Sequence, residues 1–110
     1  MQRLLLAGMS HKTAPLALRE RFTLSRAQRA AAIQRFRALY PECEIVVLST
    51  CNRVEIYIAR EVHGHPRMAE LVGFLQTCGI EPNKPADLAS VVHTETQFGV
   101  AEHLFAVAAG

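Results

Sequence analysis

The chain has 110 residues, half of them apolar, and a formal net charge of +2 at pH 7. This length suits one small domain with a core of its own, and so weak a positive charge does not by itself predict nucleic-acid binding. The three cysteines lack CxxC spacing, so they predict neither a disulfide framework nor a metal site. We therefore expect free thiols in a cytoplasmic protein. The apolar N-terminal run is too short to span a membrane.

The first part of the chain predicts a strand, an ordered loop and a helix. The apolar run Arg3 to Met9 is typical of a strand. Residues 10–24 follow as a loop whose apolar side chains should pack against the domain. Ser25 and Gln28 form a capping box that begins a helix running to Tyr40. We expect four side chains at helical spacing to face the core: Ile33, Phe36, Leu39 and Tyr40.

A hairpin follows this helix. Residues 44–50, EIVVLST, contain four consecutive apolar β-formers, which predicts a central strand buried on both faces. Residues 54–60 alternate between apolar and polar side chains, which is typical of a half-buried strand. Only Cys51, Asn52 and Arg53 separate the two strands, so the connection between them is tight.

The last part of the chain predicts a helix, a short strand and a final helix. Met68 to Cys78 forms the helix, which Gly79 ends, and Leu88 to His93 forms the strand. Thr94 and Gln97 make a second capping box at the start of the final helix. The apolar stripe of that helix comprises Phe98, Ala101, Leu104, Phe105 and Ala108. The order β-α-β-β-α-β plus a C-terminal helix predicts an α+β, ferredoxin-like antiparallel sheet with two helices on one face.

In that topology the end of the first strand and the tip of the hairpin lie at the same edge of the sheet. The segment Ser10 to Thr13 is therefore expected beside Ser49 to Arg53, and a site would be built there. Cys51 would act as a thiolate nucleophile, and Arg53 would lower its pKa or clamp a substrate carboxylate. The hydroxyl and the amide on either side of the thiol would hold a substrate amine or carbonyl. The alternative is a small residue in a tight turn beside a solvated arginine.

His103 lies off the apolar stripe of the final helix, which indicates a second buried contact around it. A helix rising back along the sheet would carry His103 toward Cys51, where a histidine would serve as the base or acid partner of the thiol. The alternative is a histidine that only packs at a helix interface. The segment His63-Gly64-His65 is more typical of a turn than of a metal site.

Three segments resemble motifs of glutamyl-tRNA reductases and occur in the same order. The first is residues 8–15, GMSHKTAP, followed by Leu18-Arg19-Glu20; the second is residues 49–57, STCNRVEIY; the third is residues 103–110, HLFAVAAG. Together they extend across nearly the whole chain. The resemblance implies that residues 1–110 are the N-terminal catalytic domain of this family, with the ferredoxin-like fold that the order of elements predicts.

The resemblance implies an enzyme that reduces glutamyl-tRNA to glutamate-1-semialdehyde with NADPH, the first step of the five-carbon route to haem and other tetrapyrroles. Cys51 would attack the ester between glutamate and tRNA and form a thioester, which hydride from NADPH then reduces. His103 would act as an acid or a base. The implied substrate-recognising residues are Ser49, Thr50, Asn52 and Arg53, with His11 and Thr13 lining or bracing the same site.

The same resemblance puts the NADPH-binding and dimerisation domains outside residues 1–110. Residues 1–110 themselves contain no GxGxxG pattern of a dinucleotide-binding loop. We therefore expect no cofactor on this chain and, for the whole enzyme, a homodimer that works with glutamate-1-semialdehyde aminotransferase. Two alternatives stay open. One is a non-catalytic, ferredoxin-like RNA-binding module, for which Tyr57 is the candidate strand aromatic. The other is a redox or metal-sensing domain built on Cys51 and nearby histidines.

Overall fold

A computed structural model describes residues 2–78 and 91–109. The elements in these ranges are, in order, β1 (Gln2–Ser10), α1 (Leu16–Phe22), α2 (Arg26–Leu39), β2 (Glu44–Ser49), β3 (Arg53–Glu61), α3 (Met68–Thr77), β4 (His93–Thr96) and α4 (Phe98–Ala109). None of these helices combines the length and the apolar composition that a bilayer-spanning segment requires.

The four described strands form one sheet in the order β2-β3-β1-β4, and every neighbouring pair is antiparallel. The predicted α+β class with an antiparallel sheet is therefore confirmed. The prediction that residues 44–50 form a central, fully buried strand is wrong. Within the described sheet, β2 pairs only with β3, so it lies at an edge and its Val46 is 62% exposed. The two central positions belong to β3, which pairs with β1 and β2, and to β1, which pairs with β3 and β4.

The larger core lies on the side of the sheet that α1, α2 and α3 cover, which we call the three-helix face. Alternate residues of β1 and β3 point into it, because successive side chains on a strand point to opposite faces. Its almost fully buried large side chains include Leu5, Met9, Phe22, Phe36, Ile56, Leu71 and Leu75. Each such side chain stabilises the fold by about 1.5–3 kcal/mol relative to leaving it exposed.

The opposite side of the sheet is covered by α4, and we call it the Glu55 face. Leu6, Tyr57 and Val100 form a second, smaller core there. As a result β3 is buried on both sides, with Glu55 at 0% and Tyr57 at 9% exposure. The prediction of a half-buried strand over residues 54–60 is wrong, because the polar residues of its alternation face a helix rather than solvent.

The segment predicted as a loop, residues 10–24, contains the short helix α1. Pro15 occupies its N-cap position, where the missing backbone N–H costs no helical hydrogen bond. Leu18 and Phe22 are four residues apart, so both turn toward the three-helix face, and Phe22 is fully buried. The expectation that this segment is ordered and packs against the domain is confirmed.

The capping box that begins α2 is confirmed. The Gln28 backbone N–H donates to Ser25 Oγ over 3.2 Å, and the Ser25 N–H donates to Gln28 Oε1 over 2.7 Å. Phe36 is fully buried as predicted, whereas the prediction for Leu39 is wrong because its side chain is 59% exposed. The buried residues Ala32 and Phe36 are four residues apart, so Leu39 lies at the margin of the inner stripe.

The chain enters α4 through a sharp turn at Gln97, whose φ of 53° lies in the left-handed region. Gln97 is tied to β1 twice. Its backbone N–H donates to the Leu4 carbonyl over 2.9 Å, and its Oε1 accepts from the Leu4 N–H over 2.7 Å. The predicted capping box of Thr94 and Gln97 is wrong, because Thr94 pairs with Ala7 inside the sheet.

The last strand occupies His93–Thr96, later in the chain than the predicted Leu88 to His93. Residues 79–90, which include Gly79 and the start of the predicted strand, lie outside the described residues.

The turn at Gln97 also determines which side of α4 meets the sheet. Val100 is 5% exposed, whereas Phe98 and Phe105 are 75% and 76% exposed. The predicted apolar stripe is thus exposed at Phe98 and Phe105, and the side that carries Val100 and His103 packs on the Glu55 face.

Phe36→Ala is expected to lower the free energy of unfolding by about 3–5 kcal/mol, because it leaves a cavity among fully buried side chains. Phe105→Ala, the exposed counterpart, is expected to change it by no more than about 0.5 kcal/mol. Urea unfolding followed by circular dichroism measures both changes. A large loss for Phe105→Ala would mean that the predicted stripe of α4, and not the side with Val100, meets the sheet.

Candidate functional site

The end of β1 and the tip of the β2–β3 hairpin lie side by side, as the sequence predicts. Ser10 and Arg53 are paired residues of β1 and β3. One residue further along, the His11 backbone N–H donates to the Asn52 carbonyl over 2.8 Å. Two polar segments that are about forty residues apart in the chain thus form one rim of the sheet.

The turn after β1 is held by its own side chains. The Ser10 backbone N–H donates to Thr13 Oγ1 over 3.0 Å, and the Lys12 N–H donates to Ser10 Oγ over 3.2 Å. The Thr13 and Ala14 N–H groups both donate to the Ser10 carbonyl. Thr13 therefore braces the turn, and the side chain of His11 is left exposed.

The hairpin tip presents Cys51 as an exposed, free thiol. The Thr50 N–H donates to the Arg53 carbonyl over 2.8 Å, and the Asn52 N–H donates to Thr50 Oγ1 over 3.2 Å. Arg19 of α1 fixes the same tip, because its Nη1 donates to the Cys51 carbonyl over 2.9 Å. The main chain around the thiol is therefore restrained while the sulfur stays accessible.

Two further contacts of this region explain its shape. Arg19 also donates from Nε to the Ala14 carbonyl over 3.1 Å, so one guanidinium joins the turn after β1 to the hairpin tip. Ser49 Oγ accepts from the Leu24 N–H over 2.9 Å. The Ser49 hydroxyl is thus engaged by the chain that leads into α2, and its role in substrate binding stays a prediction.

The buried carboxylate of Glu55 collects four hydrogen bonds on the Glu55 face. Oε2 is hydrogen-bonded to His93 Nε2 at 2.7 Å and to His103 Nε2 at 2.5 Å. Oε1 accepts from the Tyr57 hydroxyl at 2.9 Å and from Arg53 Nη1 at 3.3 Å. A carboxylate with no solvent contact is stable only when such partners replace its hydration.

These partners also determine how Glu55 ionises. Burial by itself raises the pKa of Glu55, but the hydrogen bonds from His93, Tyr57 and His103 outweigh it and lower the pKa from 4.5 to about 2. Burial, followed by the hydrogen bond to Glu55, raises the pKa of Tyr57 above its ordinary value. Glu55 is therefore an anion at neutral pH, and Tyr57 is a neutral donor.

Gly8 provides the space that this carboxylate crosses. It lies in β1, paired with Glu55 of β3 on one side and with His93 of β4 on the other. A Cβ at this position would meet Glu55 Cγ at 2.7 Å and the Val54 carbonyl oxygen at 2.6 Å. Only a residue without a side chain therefore lets Glu55 reach His93 across β1.

A polar cavity of about 390 Å³ opens beside this cluster. Its polar lining residues are Ser10, His11, Lys12, Thr13, Arg53, His93, Glu95 and His103. The cavity thus brings together four residues that the sequence singles out: His11 and Thr13 from the turn after β1, Arg53 from β3 and His103 from α4. Thr50, Cys51 and Asn52 lie just past the Arg53 end of β3, at the hairpin tip.

His103 lines the polar cavity together with Arg53 and the turn after β1, and its hydrogen-bond partner is Glu55. In the described residues no hydrogen bond joins it to Cys51; its ring contacts Glu55 and lies 5.2 Å from the ring of His93. The second buried contact predicted around His103 is therefore confirmed, with the buried Glu55 carboxylate as the partner. A role for His103 as the acid or base partner of the thiol stays a prediction.

Sequence reasoning missed Glu55 and His93. Glu55 is a charged residue between Val54 and Ile56, in a strand where both neighbours are buried. One signal could have found Glu55. His103 lies on a side of its helix that also carries apolar residues, and a histidine packed there needs a polar partner on the strand that the helix covers. Nothing in the local pattern links His93 to Glu55, since 38 residues separate them.

Comparison with known proteins identifies the family. The family described as "Glutamyl-tRNAGlu reductase, N-terminal domain" matches residues 7–110 of this chain. The chain belongs to this family. It is 34% identical over 104 residues to the glutamyl-tRNA reductase of Marinobacter nauticus, a match that covers 94% of this chain and 23% of that protein.

Two further relatives agree with this assignment. The glutamyl-tRNA reductase of a Synechocystis species is 38% identical over 104 residues, again covering 94% of this chain and 23% of the relative. The solved glutamyl-tRNA reductase from Methanopyrus kandleri has a TM-score of 0.69 at 23% identity, over 97% of this chain and 22% of that one. That likeness shows a shared fold. The chain spans less than a quarter of the length of these glutamyl-tRNA reductases.

Glu55→Gln is expected to lower the free energy of unfolding at pH 7 by about 3–5 kcal/mol, because it removes a buried charge that four hydrogen-bond partners stabilise. The pKa of Glu55 is lowered in the fold, so its stabilising contribution is complete above pH 4.5 and is lost as the pH falls toward about 2. The difference in free energy of unfolding between the wild type and Glu55→Gln should therefore shrink over that pH range. Urea unfolding at a series of pH values measures it.

Glu102→Gln is the matched control for this experiment. Glu102 lies on α4 with an exposed side chain, so its substitution should change stability by no more than about 0.5 kcal/mol. A difference between wild type and Glu55→Gln that stays constant from pH 7 to pH 2 would contradict the proposed charge state of Glu55.

Proposed function

We propose that this chain is the part of a glutamyl-tRNA reductase that accepts the glutamyl group, in the first step of the five-carbon route to tetrapyrroles. The observation that carries this proposal is the exposed Cys51 thiol at a restrained hairpin tip, one residue from Asn52 and two from Arg53. Membership of the family supports it. An accessible thiol on a fixed main chain suits attack on a substrate as large as an aminoacyl-tRNA.

The proposed reaction has two steps. The Cys51 thiolate attacks the carbonyl carbon of the glutamyl ester, so a C–S bond forms, the C–O bond to the tRNA ribose breaks, and the leaving oxygen takes a proton. Hydride then adds to the thioester carbonyl carbon, the C–S bond breaks, and glutamate-1-semialdehyde and the free thiol result. NADPH supplies that hydride in the whole enzyme, and we propose that it binds to a domain outside residues 1–110.

Arg53 is the proposed partner of the substrate's side-chain carboxylate. One of its nitrogens contacts Glu55, and its side chain, 18% exposed, lines the polar cavity. The remaining N–H groups of the guanidinium can bind a carboxylate bidentately. Thr50, Asn52 and Ser49 are proposed to contact the substrate near the thiol, and His11 and Thr13 to line the same side.

His103 is the proposed proton carrier. It lines the cavity with its ring 25% exposed, and its Nε2 is bonded to Glu55. A buried carboxylate bonded to one ring nitrogen holds an imidazole in one orientation. A protonated His103 would then donate to the leaving tRNA oxygen, and the neutral form would take a proton back.

Several wider features belong to the same proposal. We infer that the sheet is ferredoxin-like, supported by its strand order β2-β3-β1-β4. We also infer that the whole enzyme is a cytoplasmic homodimer that passes its aldehyde to glutamate-1-semialdehyde aminotransferase.

The non-catalytic RNA-binding alternative is not favoured. Tyr57 is 9% exposed and hydrogen-bonded to Glu55 beneath α4, so it offers no surface on which a base could stack.

Cys51→Ser is expected to abolish formation of the glutamyl thioester, because a serine hydroxyl at this tip has no thiolate form. Mass spectrometry of the protein after mixing with glutamyl-tRNA measures the adduct. Cys43→Ser and Cys78→Ser are the matched controls and should keep it, since Cys43 is buried and Cys78 is partly buried. An adduct on Cys43 or Cys78, or an equal loss of adduct in all three variants, would show that Cys51 is not the nucleophile.

Arg53→Lys is expected to slow acylation of Cys51 by roughly 10–100-fold, because lysine keeps the charge but loses the forked pair of hydrogen bonds to the carboxylate. It should also reduce the preference for glutamyl-tRNA over glutaminyl-tRNA, which a purely structural role would leave unchanged. Quenched-flow measurement of the adduct gives both values. Arg37→Lys, on an exposed part of α2, is the control. An unchanged preference in Arg53→Lys would exclude Arg53 from carboxylate recognition.

A further inference from the structure

Three side chains with metal-binding atoms converge on the Glu55 face from three different elements. Glu55 lies on β3, His93 on β4 and His103 on α4, and one ligand atom of each lies within 4.8 Å of the other two. Both imidazole Nε2 atoms point at the same carboxylate oxygen, Oε2. The geometry points to a binding site for one zinc ion held by Glu55, His93 and His103.

The chemistry of these ligands suits zinc. Two neutral imidazole nitrogens and one carboxylate oxygen are a common protein ligand set for a zinc ion that keeps its fourth position open. The polar cavity of about 390 Å³ is lined by both histidines, so it leaves room for a water molecule at that position. The ligands come from distant parts of the chain, which is why the sequence alone predicts no metal site.

The carboxylate is already supported as a metal ligand would be. Its Oε1 is occupied by the Tyr57 hydroxyl at 2.9 Å and by Arg53 at 3.3 Å, which leaves Oε2 for the ion. Carboxylates that bind metals usually have such hydrogen bonds in their outer shell. The positive charge of Arg53 opposes a second cation. We therefore expect reversible binding that is weaker than at closed structural zinc sites.

A zinc ion requires only a small displacement of the rings. Ligand atoms about 2.0–2.1 Å from a tetrahedral zinc lie about 3.3–3.4 Å apart, whereas the Nε2–Oε2 distances are 2.7 and 2.5 Å. The imidazoles must therefore retreat by somewhat less than 1 Å, by the same geometry. Both side chains are partly exposed, and His93 Nδ1 has no hydrogen-bond partner among the described residues to anchor its ring.

The test is a zinc titration of the 110-residue chain in competition with a chromogenic chelator. We expect one ion per chain, and an affinity at least about 10-fold lower in His93→Ala and in His103→Ala. His63→Ala is the matched control, because His63 is an exposed histidine in the turn after β3, at the other end of that strand from Glu55. Its affinity should equal that of the wild type.

Cobalt substitution gives a second readout that needs no variant of the ligands. Tetrahedral cobalt bound by nitrogen and oxygen shows visible d–d bands without a thiolate charge-transfer band, and Cys51→Ser should leave this spectrum unchanged. Any of three results would overturn the inference: no saturable zinc binding, wild-type affinity in folded His93 and His103 variants, or a thiolate band. The inference does not rest on the proposed function, since neither measurement involves tRNA or turnover.

Discussion

The buried carboxylate of Glu55 is the interaction on which the arrangement of the Glu55 face depends. An ion with no solvent contact would be strongly disfavoured if it were unpaired, and a single partner would not compensate it fully. Glu55 is stable because β3 itself supplies Tyr57 and Arg53, while β4 and α4 each supply a histidine. The need to stabilise the Glu55 charge therefore fixes α4 over the sheet through His103, and it places both histidines in the wall of the polar cavity.

The two faces of β3 perform different tasks. Its residues on the three-helix face, such as Ile56, hold the strand rigidly in a packed core. The residues between them include Arg53, Glu55 and Tyr57, and Gly8 of β1 leaves room for the Glu55 side chain to cross toward β4. The hairpin tip with Cys51 extends from a strand that is packed on both faces, so the exposed thiol lies next to a well-buried element.

Features that depend on neighbouring residues were predictable from the sequence. The capping box of Ser25 and Gln28, the burial of Phe36 and the meeting of the first strand with the hairpin tip all follow from short-range patterns or from the order of elements. They are predictable because a cap is read from residues three apart, and because a tight hairpin leaves its strands only one pairing direction.

Features that depend on distant contacts were not predictable. The side of α4 that meets the sheet follows from the positive φ of Gln97 and from its two hydrogen bonds to Leu4. Neither feature can be read from the spacing of apolar residues along the helix. The exposure of Val46 depends on β2 lying at an edge, which its apolar sequence conceals. The Glu55 cluster was missed for the same reason, because the histidines that hydrogen-bond to Glu55 lie far along the chain.

The bridge made by Arg19 has a consequence for motion. Its guanidinium donates to the carbonyls of Ala14 and Cys51, so the backbone that carries the thiol is fastened to the turn after β1. Loops that lack such fastening rearrange in nanoseconds to microseconds, whereas exposed side chains change rotamer in picoseconds to nanoseconds. The sulfur of Cys51 can therefore sample its orientations much faster than the surrounding chain moves. An arriving molecule meets a mobile thiol on a restrained main chain.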